Sequence, residues 1–469
     1  MDKLIYKTKE DVLNRAQEVV GIPLNKIDKT NRLKTGKGAI GSVLEESWFG
    51  YSINSKSEPD FAEAGVELKA TPYVRNTKGV KAKERLICNI INYMEEYKYS
   101  FLTSSFWRKC NTLLLMLYEH KDAVSKGDFT IDEAFLFNFP EEDLLIIEKD
   151  WETIVTKIKE GKAHELSEGD TFYLGACTKG STSASVRKQP FSDLPAKQRA
   201  FSLKQSYMSY VINNYILSDK PSENIIKDSS KLKSQSFEDY LKNTITPYLG
   251  QTQTQLLKHF NLSTNAKNTG ELLLRRILGI SGHLSKTEEF RKANIMPKTI
   301  RVNLNGSITE SMSFPAFDFK EIIAESWETC KFRVMLEQTK FLFVIFRYDK
   351  NRELIFDSIM FWNMPDSDIE EVKSVWEQTV SVIKNGVEFH TIGTKKFNNF
   401  PKASANRISH VRPHARDSKD TLELPNGTHM PKQSFWLNNT YISKQLSYKN
   451  PYFNEVPILN KDLSITKAN

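Results

Sequence analysis

Apolar residues along this chain follow two spacings. Val12, Leu13, Ala16, Val19 and Val20 recur at helical intervals between Glu10 and Val20, and Gly21 closes the run. Gly38 to Gly50 repeats the pattern with Ile40, Val43, Leu44 and Trp48 as core positions, and carries Glu45 and Glu46. A further helix is predicted over Glu141 to Lys159, where Leu144, Leu145, Ile147, Trp151, Ile154, Val155 and Ile158 make one broad apolar face. Strand patterns fall between these. Val66 and Leu68 alternate with Glu67 and Lys69, Glu84 to Ile91 is strand-like, Leu113 to Tyr118 reads as a buried strand, and Glu133 to Phe139 reads as its neighbour. Phe201 to Ile212 runs from a strand into a helix. The expectation is an α/β fold with a mixed sheet flanked by helices.

Leu217 to Gln235 is rich in Ser, Lys, Asp and Asn, contains Pro221 and lacks apolar periodicity. A linker over 217–236 is therefore expected between a first domain, 1–216, and a second, 237–469. The second half repeats the first. Asp150-Trp151-Glu152-Thr153-Ile154-Val155 with Gly161 returns as Val375-Trp376-Glu377-Gln378-Thr379-Val380 with Gly386 at identical spacing. Thr112 to Tyr118 pairs with Thr339 to Ile345, and Phe201 to Tyr207 with Phe435 to Tyr441. Two tandem copies of one domain are the simplest account.

The chain has 469 residues, 39% of them hydrophobic and 26% charged, with a net charge of +8. That length exceeds one core and suits a globular protein of two or three domains. A pI near 8.9 favours acidic partners, nucleic acid before membrane, though the excess is thinly spread. Cys88, Cys110, Cys177 and Cys330 show no C-x-x-C spacing, so reduced, buried thiols are expected rather than a zinc site or a disulfide framework. The charged N-terminus and the lack of a long apolar run predict a cytoplasmic protein without a membrane partner.

Candidate chemistry concentrates in Pro59-Asp60-Phe61-Ala62-Glu63-Ala64-Gly65-Val66-Glu67-Leu68-Lys69. On a strand Glu67 and Lys69 share a face, and a reversal at Ala64-Gly65 carries Asp60 back beside them. Two carboxylates and an ammonium at one point suit a hard divalent cation such as Mg²⁺ acting on a phosphodiester. Glu45 or Glu46 would add a further carboxylate. Lys26, Lys29, Arg32, Lys34 and Lys37 form a basic loop, and Lys179, Arg187, Lys188, Lys197, Arg199 and Lys204 form a second basic stretch, read as a flexible loop tracking a DNA groove. Gly36-Lys37-Gly38-Ala39-Ile40-Gly41 matches G-x-G-x-x-G, but no hydrophobic strand precedes it, so dinucleotide binding is rejected. In the register of the repeat Glu67 meets Met296, Lys69 meets Lys298, and Glu45 and Glu46 meet Leu274 and Arg275. Those residues cannot replace hard oxygen ligands, so the second copy is expected to lack catalysis yet to keep Arg412, Lys402, Arg407 and Arg416 for DNA. His410 and His414 flank Pro413 without an acidic partner, and no metal site is read there.

Lys37 to Glu45, Asp60-Phe61-Ala62, Gly65 to Lys69 and Arg199 to Lys204 resemble the signature of the MutH-type endonucleases, which include a mismatch-repair nicking enzyme and the Sau-type restriction enzymes that cleave at GATC. The Sau-type likeness is closer, extending through Ala62 to Pro72, Lys162 to Gly169 and Gln433 to Trp436. The resemblance implies a restriction-endonuclease-like fold present twice, Mg²⁺-dependent double-strand cleavage before the G of GATC, and a second domain that binds another DNA site as effector. It implies catalytic roles for Asp60, Glu67, Lys69 and Glu45, with Asp60, Glu67 and Glu45 as metal ligands and Glu84 and Lys109 in support. The helix spacing departs from the family by one residue around Glu45-Glu46, which leaves either glutamate open. Lys37, Lys179, Ser202, Lys204 and Arg412 are the implied DNA contacts. Ser202 stands where the nicking enzyme has a methylation-checking tyrosine. A monomer that pairs on DNA, and a companion methyltransferase acting on the same site, are implied as well. The alternatives are a mismatch-repair nickase, disfavoured by the fused second copy, and a DNA-binding regulator with a vestigial site.

Overall fold

A computed structural model describes residues 6–34, 36, 38–53, 58–76, 79–180, 185–216, 222–263, 268–393 and 395–449. In chain order the first nine strands are β1 (Glu67–Asn76), β2 (Gly79–Ala82), β3 (Leu86–Ile90), β4 (Thr112–Glu119), β5 (Glu133–Asn138), β6 (Leu174–Thr178), β7 (Val186–Gln189), β8 (Ser192–Lys197) and β9 (Arg199–Leu203). The apolar run of β4 is buried on both faces, as a central strand requires. β1 lies parallel to it, with Glu67 opposite Leu113 and Lys69 opposite Leu115, and β5 lies antiparallel on its other side. β2 completes the mixed sheet in the order β2-β1-β4-β5. A second sheet has the order β3-β9-β6.

Two helices, Lys9–Gln17 and Ala39–Val43, cover the first sheet by burying Val12, Ala16, Ile40 and Val43 against Val66, Leu68, Leu114 and Met116. The second of them continues as a π-helical turn, Leu44–Trp48. The long helix spans Glu141–Lys159 as its apolar stripe predicts, with Ile147, Trp151, Ile154 and Ile158 buried. Asp150 on that helix is also buried and accepts the backbone N–H groups of Phe172, Tyr173 and Leu174 at 2.7, 2.6 and 2.9 Å, which fixes the start of β6. All four cysteines are free and buried. Gly38 precedes the helix Ala39–Val43 and follows a short 3-10 turn, Arg32–Lys34, rather than a strand.

One short element goes unread in the sequence and one expectation changes. The residues before β4 form a helix, Ser105–Cys110, capped by the Ser104 hydroxyl accepting from the Trp107 N–H. The basic stretch Lys179–Lys204 is not a loop throughout: β7 and β8 pair as a hairpin and β9 enters the second sheet, because alternating residues there find cross-strand partners.

The later strands are β10 (Ile295–Val302), β11 (Met312–Ala316), β12 (Lys340–Tyr348), β13 (Leu354–Trp362), β14 (Phe389–Ile392), β15 (Lys395–Asn398), β16 (Ser409–Pro413), β17 (Thr421–Glu423), β18 (His429–Pro431) and β19 (Gln433–Leu437). They form sheets in the orders β10-β12-β13 and β11-β19-β16 and the hairpins β14-β15 and β17-β18. A 20-residue helix, Asp366–Asn385, follows β13. The chain divides into two compact units, each assembled from several stretches: Met1–Thr244, Arg275–Met296 and Gln338–Phe341 make the first, and Ile245–Leu274, Pro297–Glu337 and Leu342–Asn469 the second. Within the first unit the Lys292 ammonium is sealed against Asp143 and Glu288, 2.5 Å from each, and the Tyr207 hydroxyl donates to Asp143. Among the described residues no helix is long and apolar enough to cross a membrane.

Candidate active site

The site grows from the turn before β1. Phe61 and Val66 pair as an isolated bridge across a tight reversal, and Gly65 takes φ +66° there, a conformation that a Cβ disfavours. The reversal lays Asp60 against the strand. The Leu68 N–H donates to Asp60 Oδ2 at 3.0 Å, and the Asp60 N–H donates to Glu67 Oε2 at 3.2 Å. Val66 and Leu68 go into the core, as alternation requires, and leave Glu67 and Lys69 on the other face. Glu67 is itself only 2% exposed. Its carboxylate is held by two ammonium groups, Lys69 Nζ at 2.8 Å from Oε1 and Lys109 Nζ at 3.2 Å from Oε2. The short helix Ser105–Cys110 delivers Lys109, whose Nζ also donates to the Glu58 carbonyl.

Glu45 joins the same pocket and Glu46 does not. The π-helical turn points Glu46 outward, where Arg32 grips it through Nε and Nη2 at 2.8 and 2.9 Å. Glu45 is partly enclosed, and its carboxyl is pushed up to about 7 by burial and then by the charge of Asp60. Asp60 is pushed up to about 6 by burial and by Glu67. Burial works to lower the Lys69 ammonium, but Glu67 more than offsets this and holds it above its ordinary value. Glu45 and Asp60 are thus hard oxygen donors short of positive charge, the chemistry that fits a divalent cation. Among the described residues no three His, Cys, Asp or Glu side chains are already gathered at ligand distances.

The remaining sequence-derived candidates scatter. Glu84 stands exposed between β2 and β3, where its charge bears on Tyr118. Lys37 lies outside the described residues. Lys179 is exposed just after β6. Ser202 is fully buried on β9 beside the Cys177 thiol, and Lys204 turns inward to the Thr171 carbonyl at 2.5 Å. In the second unit Arg412 is exposed with its guanidinium 4.5 Å from the centre of the Trp436 ring. Arg407 is engaged by Glu371 and Arg416 by Asp420, while the Lys402 ammonium lies 5.6 Å from the Phe397 ring. His410 bonds Asn438, and His414 Nδ1 lies 3.0 Å from the Phe314 carbonyl. Lys298 donates to the Ser313 carbonyl at 2.9 Å. Sequence reasoning passed over Tyr51, which is half-buried within the electrostatic reach of Asp60, Glu45 and Glu67; an aromatic after Gly50 reads only as core.

Comparison with known proteins places the chain in a family. The family model for the DNA mismatch repair enzyme MutH matches residues 49–150, a span that includes Asp60, Glu67, Lys69 and Lys109. The type II restriction enzyme Sau3AI of Staphylococcus aureus is 39% identical over 94% of this chain and 99% of its own length. The DNA mismatch repair protein MutH of Escherichia coli is 28% identical over 45% of this chain and 94% of its own, and that of Shewanella woodyi 26% over 38% and 79%. The MutH matches thus cover less than half of the chain, whereas the restriction enzyme matches nearly all of it. The chain belongs to the MutH and Sau-type endonuclease family and is a site-specific deoxyribonuclease.

Proposed function

We propose that the protein is a type II restriction endonuclease that cuts both strands of DNA before the G of GATC with Mg²⁺ as cofactor. The observation that carries this reading is the convergence of Asp60, Glu67 and Lys69 on one face, with Glu45 and Lys109 closing the pocket, in a chain similar end to end to a type II restriction enzyme. Asp60, Glu67 and Glu45 would hold the cation. When bound, it supplies charge neutralisation at the scissile phosphate and a lowered pKa for the attacking water. Lys69 and Lys109 keep positive charge beside Glu67, so a phosphate entering the pocket meets ammonium groups already in place. The Leu68 N–H holds Asp60 by one oxygen and fixes the face that the carboxylate presents. Lys37, Lys179 and Arg412 are the DNA contacts in this reading, while Ser202 and Lys204, both turned inward, support β9 and the start of β6 rather than reach base edges.

We read residues 237–469 as a diverged copy that binds a further DNA site as effector. Its sheets β10-β12-β13 and β11-β19-β16 repeat the orders β1-β4-β5 and β3-β9-β6, and a long helix follows β5 and β13 alike. Met296 and Leu274 in place of Glu67 and Glu45 leave it without oxygen ligands. A monomer that pairs on DNA, protected against by a methyltransferase acting at the same sequence, completes the reading.

Plasmids carrying one or several GATC sites, unmethylated and incubated with Mg²⁺, test it. Linear products, formed faster on the multi-site plasmid, are expected. Nicked circles alone would favour a mismatch-repair type of nickase, and equal rates on both plasmids would remove the effector role.

A further inference from the structure

The Tyr51 hydroxyl is the one orphaned polar group of the acid pocket: it is sealed from solvent and makes no hydrogen bond among the described residues. The ring packs edge-on against Phe61 with centroids 5.3 Å apart, and the Tyr51 N–H donates to the Glu45 carbonyl at 3.1 Å. Asp60 directly precedes Phe61 in the chain, and the charges of Asp60, Glu45 and Glu67 all reach the Tyr51 hydroxyl. Tyr6 in the same aromatic cluster is a useful contrast, because its hydroxyl is satisfied by the Phe49 carbonyl at 3.1 Å. Asp60 is the complement of Tyr51: among the described residues its carboxylate accepts only the Leu68 N–H, on Oδ2. An enclosed hydroxyl without a partner is destabilising, and a bound ion or a role in the site is among the reasons native proteins retain one.

We propose that Tyr51 is a positioning residue of this site, whose hydroxyl donates to the Asp60 carboxylate once a divalent cation occupies the pocket and thereby fixes Asp60 as a ligand. The inference rests on the reading of Asp60 as a metal ligand given under Proposed function. Partners of this kind, one step removed from the ion, orient ligating carboxylates, and losing one weakens metal affinity by about 10- to 100-fold.

The test uses the full chain without DNA, with Mn²⁺ as probe and its dissociation constant read from water-proton relaxation. Tyr51→Phe keeps the ring against Phe61 and removes only the orphaned oxygen, so the metal-free Tm should be equal to that of the parent or higher. The Mn²⁺ dissociation constant should rise at least tenfold, and cleavage should recover toward the parental rate as metal is raised. An unchanged dissociation constant in Tyr51→Phe, with a weakened one in Asp60→Asn, overturns the role of Tyr51 alone. Unchanged affinity in both variants overturns the site reading and this inference with it.

Discussion

Glu45 and Glu46 are adjacent in sequence, chemically identical and differently used. One is drawn into a pocket with Asp60, and the other is gripped at the surface by Arg32. Helical periodicity could not separate them, since a one-residue departure from the family spacing left either in register. In the structure both glutamates lie in the π-helical turn Leu44–Trp48, a feature that recurs at functional sites and has no sequence signature of its own. Glu45→Gln should therefore cut the cleavage rate at least tenfold, whereas Glu46→Gln should stay within about twofold, as expected for an exposed pair; parallel single-turnover assays at saturating Mg²⁺ decide this. Asp60, Glu67 and Lys69 were legible because alternation on a strand and a Gly-permitted reversal specify their relative placement. Glu67→Ala should leave DNA binding nearly intact by fluorescence anisotropy while cleavage falls by orders of magnitude, as loss of a metal ligand implies. Equal losses in both would count against its assignment.

At the level of elements, long periodic segments were readable and short ones were not. Glu141–Lys159 matches its predicted bounds because a 19-residue amphipathic stripe leaves few alternatives. The helix Ser105–Cys110 is too short for periodicity to reveal, and only the Ser104 cap marked it. The hairpin β7-β8 was hidden by its charge, since Arg187, Lys188 and Lys197 obscure the alternation. The turn before β1 is the element on which the site depends. Gly65→Ala forces a Cβ into φ +66°, which costs about 1–2 kcal/mol. The expected result is a Tm lower by a few degrees and a larger fall in cleavage than in DNA affinity, because Asp60 loses its register with Leu68. A cleavage rate unchanged from the parent would show that the reversal does not set the geometry of Asp60.

For the molecule as a whole, sequence periodicity placed a linker at 217–236, whereas the first compact unit draws on residues as distant as 275–296 and 338–341. That non-local closure leaves no mark in a local pattern. Lys292 lies in one of those stretches, and both its side chain and that of Asp143 are 3% exposed. A chain ending at Ile216 would strand Asp143, and breaking a buried pair costs about 3–5 kcal/mol, so such a truncation should be expressed insoluble or unfold at low urea. Lys340 gives the pH signature of the same unit. Burial, with help from the charge of Lys204, lowers its ammonium to about 7 from an ordinary 10.5. Below pH 7 both folded and unfolded chains carry the proton and the full penalty applies; between pH 7 and 10.5 only the unfolded chain keeps it, so this contribution to stability rises with pH. Lys340→Met should flatten the rise in urea midpoint between pH 7 and 9 relative to the parent, and an unaltered slope would contradict the assignment.

The most direct test of the central claim, that a single acid pocket in the first unit hydrolyses DNA, is to map the ends produced from unmethylated plasmid by the parent chain and by Asp60→Asn in Mg²⁺. The parent should give double-strand ends immediately before the G of GATC, and Asp60→Asn and metal-depleted reactions should give none. Cleavage by Asp60→Asn at the parental rate, or parental ends at unrelated sequences, would contradict it.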